Sequence, residues 1–517
     1  MNTPAGERID WCHLLPTPPE GWRSLVVLGA PERTGHLLRS AGIAAAVSFD
    51  VADLASADAV AVVGDVAIPT GEIVARAPQA TAVLVVERHR GRARIAATRA
   101  LRAGGLGVVE RYWPVPDWDH PRRHLPIDHP GAMRWYLDHL LVERTAVARV
   151  SGAVLATLAR RSPSVLGLVL PTVVFVGTRP TTPSGGVRPL VLTSGNDRWS
   201  RTVLCEFAPG DSRPRTVVKV PTEPAGNDVV VAEQESLRRL RDLLSPTMRD
   251  TVPEPLGTER RGALVAGRET GITGTSMAVS SGRGDRSAAM GDLAAAVAWA
   301  RRLVTETQEM HPWHPDRFDD WIVAPAVEHH RLFGHAPRLD ALVETLRAAA
   351  ADLDGTPIAH GWTHGDLGPW NILRRAGGVA VVDWEATAPP APTHIPPLTD
   401  LVYLGTYWLH VAAGHHDAVG HREAARRLWT EVPSPSASVS AVRDALGSAV
   451  RESSIPPAVV ALAVVHTWLE QANRVARRRT DLGLATPTVG IHADTVVDVL
   501  CDDPDGVVAV ASAIARA

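Results

Sequence analysis

The hydrophobic pattern divides the chain into two parts. In the first part, short apolar runs alternate with stretches of helical periodicity, which is typical of α/β structure with a parallel sheet. Five apolar runs are predicted strands: Ser24–Gly29, Ala44–Phe49, Ala59–Val63, Ala82–Val86 and Leu106–Val109. These runs predict an α/β domain over residues 1–179.

The stretch P-T-T-P-S-G-G-V, residues 180–187, is rich in turn formers and lies between two apolar runs, so residues 180–186 are a predicted linker. Strand-like runs near Leu190, Val203 and Val217 follow, then a helix, and then mostly helical periodicity. This order predicts an α+β bilobal domain, with a small sheet-rich lobe over residues 187–275 and a large helical lobe over residues 276–517.

Residues 360–385 carry the most specific motif, H-G-W-T-H-G-D-L-G-P-W-N-I-L-R-R-A-G-G-V-A-V-V-D-W-E. The two apolar runs, Ile372–Arg374 and Val379–Val382, predict a hairpin that turns at Gly377. Antiparallel pairing about that turn would bring Asn371 and Asp383 together. Their oxygen atoms are ligands that Mg²⁺ prefers, with phosphates and water completing its shell.

Asp366 lies on the loop before this hairpin, where it could accept a proton from a substrate hydroxyl or orient that hydroxyl. The alternative is that His364, Asp366 and Asn371 are turn residues of a surface hairpin, a common use of Asp and Asn. That alternative suits each residue alone. The spacing H-G-D-x-x-x-x-N, followed by an apolar strand ending in Asp, favours a functional site.

Of the 53 basic residues, 52 are arginine, and Lys219 is the only lysine. It lies in a predicted strand, residues 215–220, and a helix follows. In that helix Glu233 falls in an apolar stripe with Leu237, Leu240 and Leu244, whereas Glu235 falls on another face. A carboxylate in a buried stripe needs a partner, so we expect a Lys219–Glu233 ion pair. The alternative is a solvent-exposed Glu233 on a helix of different rotation.

With these motifs in order, residues 187–517 resemble the aminoglycoside phosphotransferase and choline kinase superfamily, whose fold is protein-kinase-like. The resemblance implies a small-molecule kinase that uses ATP and Mg²⁺. It further implies that Asp366 is the catalytic aspartate, that Asn371 and Asp383 are magnesium ligands, and that Lys219 and Glu233 form the phosphate-positioning pair. By the same resemblance, Glu269 lies at the adenine-binding hinge and Gly195 in a nucleotide-contacting strand turn. His364 and Asp400 would support the catalytic loop.

Residues 20–178 more weakly resemble a class I S-adenosylmethionine-dependent methyltransferase, a Rossmann-like domain. The resemblance implies a sixth strand, Val173–Gly177, as the returning last strand of that domain. The turn after its first strand reads Gly29-Ala30-Pro31, where that class usually has clustered glycines. Pro31 lacks an N–H and fixes φ, which disfavours a close cofactor turn. We therefore expect a degenerate, noncatalytic domain in preference to an active methyltransferase, and no S-adenosylmethionine.

Net charge, hydropathy and cysteine content limit the kinds of partner and the compartment that we expect for this protein. A net charge of -3 predicts no attraction to nucleic acid or anionic lipid, and no apolar run reaches the length of a membrane span. Cys12, Cys205 and Cys501 are too few and too far apart for a disulfide framework or clustered metal ligation, and the polar N-terminus lacks a signal peptide. We expect a cytoplasmic protein.

The acceptor stays open between an aminoglycoside, an amino alcohol and a sugar. A polycationic acceptor would use an acidic rim, for which Asp316, Asp319 and Asp320 are candidates. A quaternary ammonium would use an aromatic cage. The tryptophans near the motif are candidates for such a cage or for the core: Trp362, Trp370, Trp384 and Trp408. Two other hypotheses are a nucleotide-binding pseudokinase scaffold and a bifunctional kinase–methyltransferase.

Overall fold

The computed structural model describes residues 9–89, 91–139, 154–155, 157–158, 161–179, 188–193, 200–282, 286–389, 398–414, 418–432, 436–481 and 492–516. The chain divides into two compact units. Unit 1 comprises Met1–Glu235 and Glu254–Thr273, and unit 2 comprises Ser236–Pro253 and Gly274–Ala517. Each unit is described by itself below.

The strands and helices of unit 1 alternate in its first half and are mostly strands in its second half. The strands are β1 (Trp22–Leu28), β2 (Ala44–Ser48), β3 (Ala59–Val62), β4 (Ala82–Glu87), β5 (Val108–Val115), β6 (Arg123–Pro126), β7 (Val173–Thr178), β8 (Arg188–Thr193), β9 (Arg201–Phe207), β10 (Thr216–Pro221), β11 (Pro255–Arg261) and β12 (Leu264–Thr270). The helices are α1 (Glu32–Ser40), α2 (Thr70–Arg76), α3 (Arg92–Ala103), α4 (Pro130–His139), α5 (Pro163–Val169) and the first part of α6 (Asn227–Leu243).

All of these strands belong to one 12-stranded mixed sheet in the order β11-β12-β10-β9-β8-β6-β5-β7-β4-β3-β1-β2. The pairs β2–β1, β1–β3 and β3–β4 are parallel, as the sequence predicts. The returning strand β7 inserts antiparallel between β4 and β5. The six predicted strands of the first part of the chain are therefore all present.

The sheet continues from the first part of the chain into the second through β6. This short strand pairs antiparallel with β5 on one side and with β8 on the other, where Arg123 lies opposite Leu192 and His124 opposite Val191. The predicted linker, residues 180–186, lies outside the described residues. The division into separate domains at that linker stays a prediction, and the sheet itself contains strands from both sides of it.

Each face of the sheet of unit 1 has its own core because side chains alternate along a strand. Val26 and Leu28 of β1 pack into one core with Leu190 of β8. Leu25 and Val27 pack into the other core. The same two cores take side chains from strands on both sides of residues 180–186, so they bind both parts of this unit together.

Unit 2 is mainly helical. Its strands are β13 (Thr275–Ser276), β14 (Glu309–Pro312), β15 (Pro357–His360), β16 (Ile372–Arg375) and β17 (Gly378–Val381). Its helices are α7 (Pro246–Arg249), α8 (Met277–Ser281), α9 (Arg286–Thr307), α10 (Asp316–Phe318), α11 (Ala324–Phe333), α12 (Pro337–Ala349), α13 (Thr399–Ala413), α14 (Ala418–Trp429), α15 (Ala437–Glu452), α16 (Pro457–Asp481), α17 (His492–Asp502) and α18 (Pro504–Arg516).

The core of unit 2 surrounds the buried face of α16. Val460, Val464 and Trp468 recur on this helix at spacings of four, and all three are buried. They belong to a single core that also contains Ile372 of β16 and Val381 of β17. The small sheet β13-β16-β17 is thereby fixed against the helices. Within the described part of the chain, no helix combines the length and apolarity needed to cross a membrane.

Candidate active site

Lys219 forms the ion pair predicted from the sequence. Its Nζ lies 2.5 Å from Oε1 of Glu233, and the two residues are 4% and 3% exposed. Leu237 and Leu240 are buried on the same stripe of α6, whereas Glu235 is exposed, so the predicted rotation of the helix is confirmed.

Two further charged residues join this pair. Arg201 on β9 places Nη1 2.5 Å from Oε2 of Glu233, and Glu269 on β12 places Oε1 3.5 Å from Lys219 Nζ. Both residues are buried. Two cations and two carboxylates therefore balance one another away from water, where an isolated charge would be costly. The side chain of Glu269, predicted at the hinge, thus lies in this charged cluster.

The predicted hairpin is present in unit 2, but its register differs by one residue from the expected one. Ile372 pairs with Val381 and Arg375 with Gly378, so the turn consists of Ala376 and Gly377 alone. Asn371 consequently pairs with Val382, whose N–H donates to the Asn371 carbonyl at 3.0 Å, and not with Asp383. The observed register follows from the two-residue turn, because antiparallel hairpins favour a turn of this length.

Asp366 is fixed at its side chain by Asn371. The Asn371 Nδ2 donates to the backbone carbonyl of Asp366 at 2.9 Å and to its Oδ2 at 3.1 Å. Because the amide nitrogen makes both donor bonds, Oδ1 is the Asn371 atom that could ligate a cation. Asp383 supplies a second hard oxygen donor and adopts a left-handed backbone with φ 68°. Asn371 and Asp383 therefore fit the chemistry of a Mg²⁺ site.

The loop before Asp366 is held by His364 and Asp400. The carboxylate of Asp400 accepts the N–H of His364 at 2.6 Å and the N–H of Gly365 at 2.9 Å. His364 Nε2 donates to the Val382 carbonyl at 3.0 Å, which leaves Nδ1 to accept the Asp366 N–H at 3.3 Å. Burial raises the pKa of Asp400, and His364 together with the two backbone N–H groups opposes that rise. Both residues are therefore hydrogen-bonded to backbone N–H groups of this loop.

Gly365 is required by this geometry. Its φ is 76°, and a Cβ at this position would lie 2.3 Å from the carbonyl oxygen of Ala386. The left-handed conformation and the close backbone approach both exclude a side chain. Thr363 and Ala388 exchange two backbone hydrogen bonds beside it, so the loop before Asp366 is tied to the segment after Asp383.

Two tyrosines and an arginine complete the surroundings of Asp366. Burial raises the pKa of Tyr403, and so do the neighbouring Tyr407 and Asp366, the second of which is hydrogen-bonded to Tyr403. Burial and then Asp366 raise the pKa of Tyr407 to about 12. Arg474 on α16 places Nη2 3.6 Å from Asp366 Oδ1. Both hydroxyls therefore stay protonated at neutral pH beside a carboxylate.

A surface cavity of unit 2 opens beside this loop. Thr363 and Gly365 line one side of it, and Arg474 and Glu470 of α16 line another. Burial raises the pKa of Glu470. Because Gly365 precedes Asp366 and Arg474 faces it, the cavity gives a small molecule access to the region next to Asp366.

The predicted acidic rim and aromatic cage are only partly assembled. Asp320 lines the cavity, whereas Asp319 faces Arg347 at 3.7 Å and Asp316 pairs with His314 at 3.2 Å. Trp370 is 40% exposed and contacts Tyr407 edge to face, with ring centroids 5.0 Å apart. The other three tryptophans are core residues: Trp362, Trp384 and Trp408.

Two predicted features of nucleotide binding differ in their outcome. Gly195 and its strand turn lie outside the described residues. The turn after β1 is described, and there Gly29 is in backbone contact with Gly64, since a Cβ on Gly29 would lie 2.6 Å from the Gly64 Cα. This turn lies at the carboxyl ends of parallel strands, where such sheets bind ligands. The expectation that this domain binds no S-adenosylmethionine stays a prediction.

The sequence reasoning missed Arg201, Tyr403 and Arg474. Arg201 is one arginine among 52 and faces Glu233 only through the pairing of β9 with β10. Tyr403 lies on α13 one turn after Asp400, a spacing of three that places both residues on one face of the helix and could have identified it. No local signal marks Arg474, because its contact with Asp366 depends on the packing of α16.

Residues 195–433 match the model of the phosphotransferase enzyme family. An aminoglycoside-3'-phosphotransferase of type VIII is 17% identical over 50% of this chain and 92% of its own, with a TM-score of 0.29. The aminoglycoside phosphotransferase APH(3'')-Id from Streptomyces rimosus ATCC10970 is 15% identical over 61% of this chain and 94% of its own, with a TM-score of 0.31. A choline/ethanolamine kinase family protein from Mesorhizobium loti is 15% identical over 60% of this chain and 92% of its own, with a TM-score of 0.27.

None of the curated proteins compared with the chain matches it. The matched range contains the loop, the hairpin and the ion pair described above. Residues 195–433 of this chain are therefore similar to the phosphotransferase enzyme family.

Proposed function

We propose that this protein transfers the γ-phosphoryl group of Mg-ATP to a hydroxyl of a small polar molecule. The observation that carries the proposal is the loop around Asp366, which Asn371, His364 and Asp400 hold in a single conformation. A carboxylate held beside an open cavity can orient an acceptor hydroxyl and take its proton. Positioning of this kind accounts for most of the catalysis in phosphoryl transfer.

In each unit, charged and polar side chains offer candidate ligands for Mg-ATP. Lys219, oriented by Glu233, would bind phosphate oxygens of the nucleotide. Asn371 Oδ1 and the carboxylate of Asp383 would hold Mg²⁺, which would neutralise charge on the phosphates. Asp366 would accept the proton of the acceptor hydroxyl, and Asp400 would keep the loop in place during that transfer.

The chemistry of the cavity suggests that the acceptor is polar and carries a cationic group. Asp320, Glu328 and Glu470 contribute three carboxylates to its lining, against one arginine, Arg474. Glu328 and Glu470 both face Arg477, at 3.4 and 3.3 Å, so among the described residues Asp320 is the lining carboxylate left to face a positively charged ligand. Among the open acceptor classes, an aminoglycoside or an amino alcohol fits this lining better than a neutral sugar does.

The test is transfer of label from γ-labelled ATP into a panel of aminoglycosides, amino alcohols and sugars, with and without Mg²⁺. We expect a labelled product from a cationic acceptor and none when the metal is chelated. If the protein binds Mg-ATP yet labels no acceptor, and its cellular role survives Asp366→Ala, the pseudokinase hypothesis replaces the proposal. If S-adenosylmethionine binds in calorimetry, the bifunctional hypothesis is revived.

A further inference from the structure

The loop that carries Asp366 contains no cation of its own. Residues 361–371 read G-W-T-H-G-D-L-G-P-W-N, so neither Lys nor Arg lies within five residues of Asp366. Phosphoryl transfer spreads negative charge over the oxygens of the transferred group, and a nearby cation stabilises that charge. A cation close to Asp366 must therefore come from another element of the chain or from the bound metal.

Arg474 meets this requirement. It lies on α16, and its Nη2 is 3.6 Å from Oδ1 of Asp366. The same nitrogen donates to Gln471 Oε1 at 2.7 Å, which holds the guanidinium from one turn earlier on the helix. Arg474 also opposes the effect of burial and of Asp366 on the pKa of Tyr407, so its charge acts on the same small region.

The contact with Asp366 leaves other N–H donors of the Arg474 guanidinium available to a ligand. At 3.6 Å it is longer than a charge-assisted hydrogen bond, and the Arg474 side chain is 44% exposed at the cavity. A guanidinium has five N–H donors in a planar fork, which matches the oxygens of a phosphoryl group. The nearby carboxylate of Glu470 is paired with Arg477 at 3.3 Å. Arg474 can therefore bind an oxyanion while it stays beside Asp366.

We propose that Arg474 binds the transferring phosphoryl group and stabilises its charge in the transition state. This inference rests on the proposed function. The acceptor oxygen bonds to the γ-phosphorus as the bond from that phosphorus to the β,γ-bridging oxygen breaks, and ADP leaves with the electron pair. The hydroxyl proton passes to Asp366. Arg474 stays protonated and donates N–H bonds to the non-bridging oxygens throughout.

Two other roles are possible for an arginine at this place, and each has a different signature. An arginine that binds an anionic group of the acceptor would change the KM of the acceptor and leave kcat alone. An arginine that only positions Asp366 would not affect the binding of a phosphoryl mimic that needs no acceptor. A readout at the phosphoryl group itself therefore separates the three roles.

The experiment measures binding of Mg-ADP to the full-length chain with and without aluminium fluoride, which mimics the transferring phosphoryl group. The variants are Arg474→Gln and Arg474→Lys, and the control is Arg451→Gln, an exposed arginine on α15. We expect fluoride to tighten ADP binding to the wild type and the control. In Arg474→Gln this tightening falls by about 100-fold, with Mg-ADP affinity unchanged, and Arg474→Lys retains part of it because the charge remains.

Kinetics with a labelled acceptor give the second readout, in which Arg474→Gln lowers kcat about 100-fold and leaves the acceptor KM within about threefold. Equal fluoride-dependent tightening in wild type and Arg474→Gln overturns the inference, and so does a change confined to the acceptor KM. A wild-type chain that fails to bind Mg-ADP overturns the proposed function itself. That failure is seen in the wild type alone, so it can be distinguished from a failure of the inference about Arg474.

Discussion

Glu233 shows how one residue can depend on two partners at once. Its carboxylate holds Lys219 through one oxygen and Arg201 through the other, and all three residues are buried. The helical stripe of the sequence was enough to predict the contact with Lys219. The contact with Arg201 could not be predicted, because it depends on which strand lies beside β10.

Replacing Glu233 by Gln should destabilise the protein by about 3 kcal/mol, because the change leaves two buried cations with Glu269 as the remaining carboxylate of the cluster. Denaturant unfolding of the variant and the wild type measures the difference. The matched control is Glu235→Gln, an exposed position on the same helix, where we expect a change below about 0.5 kcal/mol. Equal stability of the two variants would contradict the buried cluster.

His466 should make stability depend on pH. Burial lowers its pKa from 6.5 to about 4, and its Nδ1 donates to the Trp321 carbonyl at 2.8 Å. The unfolded chain therefore binds more protons than the folded one between these two values. The free energy of unfolding should fall as the pH is lowered from about 6.5 to about 4, by up to about 3 kcal/mol from this group.

The measurement is denaturant unfolding at several pH values for the wild type and His466→Asn. The Asn side chain keeps an N–H donor for the Trp321 carbonyl but does not titrate. The variant should lose part of the acid destabilisation, and the wild-type slope across this range should be the steeper one. Identical slopes would mean that His466 is not held neutral in the folded protein.

At the scale of elements, the loop and hairpin depend on glycines in two different ways. Gly365 and Gly377 both have positive φ, at 76° and 85°. A Cβ on Gly365 would collide with the backbone of Ala386, whereas a Cβ on Gly377 would meet nothing within 4 Å. Substitutions at the two positions therefore separate the effect of backbone strain, which both positions share, from the effect of close packing, which only Gly365 has.

Gly365→Ala should lower phosphoryl transfer by at least about tenfold, because the loop must move to relieve the clash and misplaces Asp366. Gly377→Ala should cost about 1 kcal/mol of stability and leave the specific activity near that of the wild type. Activity and unfolding are measured on both variants. A fully active Gly365→Ala would contradict a rigidly placed loop.

The elements also show what a local pattern can and cannot predict. Strands such as Ala59–Val62 and Ala82–Glu87 are short apolar runs between turn formers, and the sequence predicted them within one or two residues. β6 reads Arg-His-Leu-Pro, which has too few apolar residues to stand out. The sequence predicts a turn over Ala376-Gly377-Gly378 and does not show which of these residues lies at its centre. The predicted register therefore differs by one residue from the observed one.

On the scale of the whole molecule, unit 1 depends on one sheet that runs through the predicted domain boundary. Strand pairing between β6 and β8 is long-range, so no local pattern could predict it. The two cores on either face of the sheet likewise draw on β1 and on strands beyond residue 187. The predicted small lobe is therefore continuous with the first part of the chain in this unit.

A fragment that begins at residue 187 should consequently be less stable than the full chain. It would expose the edge of β8 and the apolar residues Leu190 and Val191, which are buried in the full chain. We expect the fragment to aggregate or to unfold at lower temperature, as measured by soluble yield and thermal unfolding. A soluble fragment with the stability of the full chain would support two independent domains instead.

The central claim is that Asp366 orients the acceptor hydroxyl and accepts its proton during phosphoryl transfer from Mg-ATP. The most direct test compares wild type and Asp366→Asn for transfer of label from γ-labelled ATP to the acceptor found in the panel. We predict that kcat falls by about two to four orders of magnitude while Mg-ATP still binds. Transfer at the wild-type rate by Asp366→Asn would contradict this assignment of the active site.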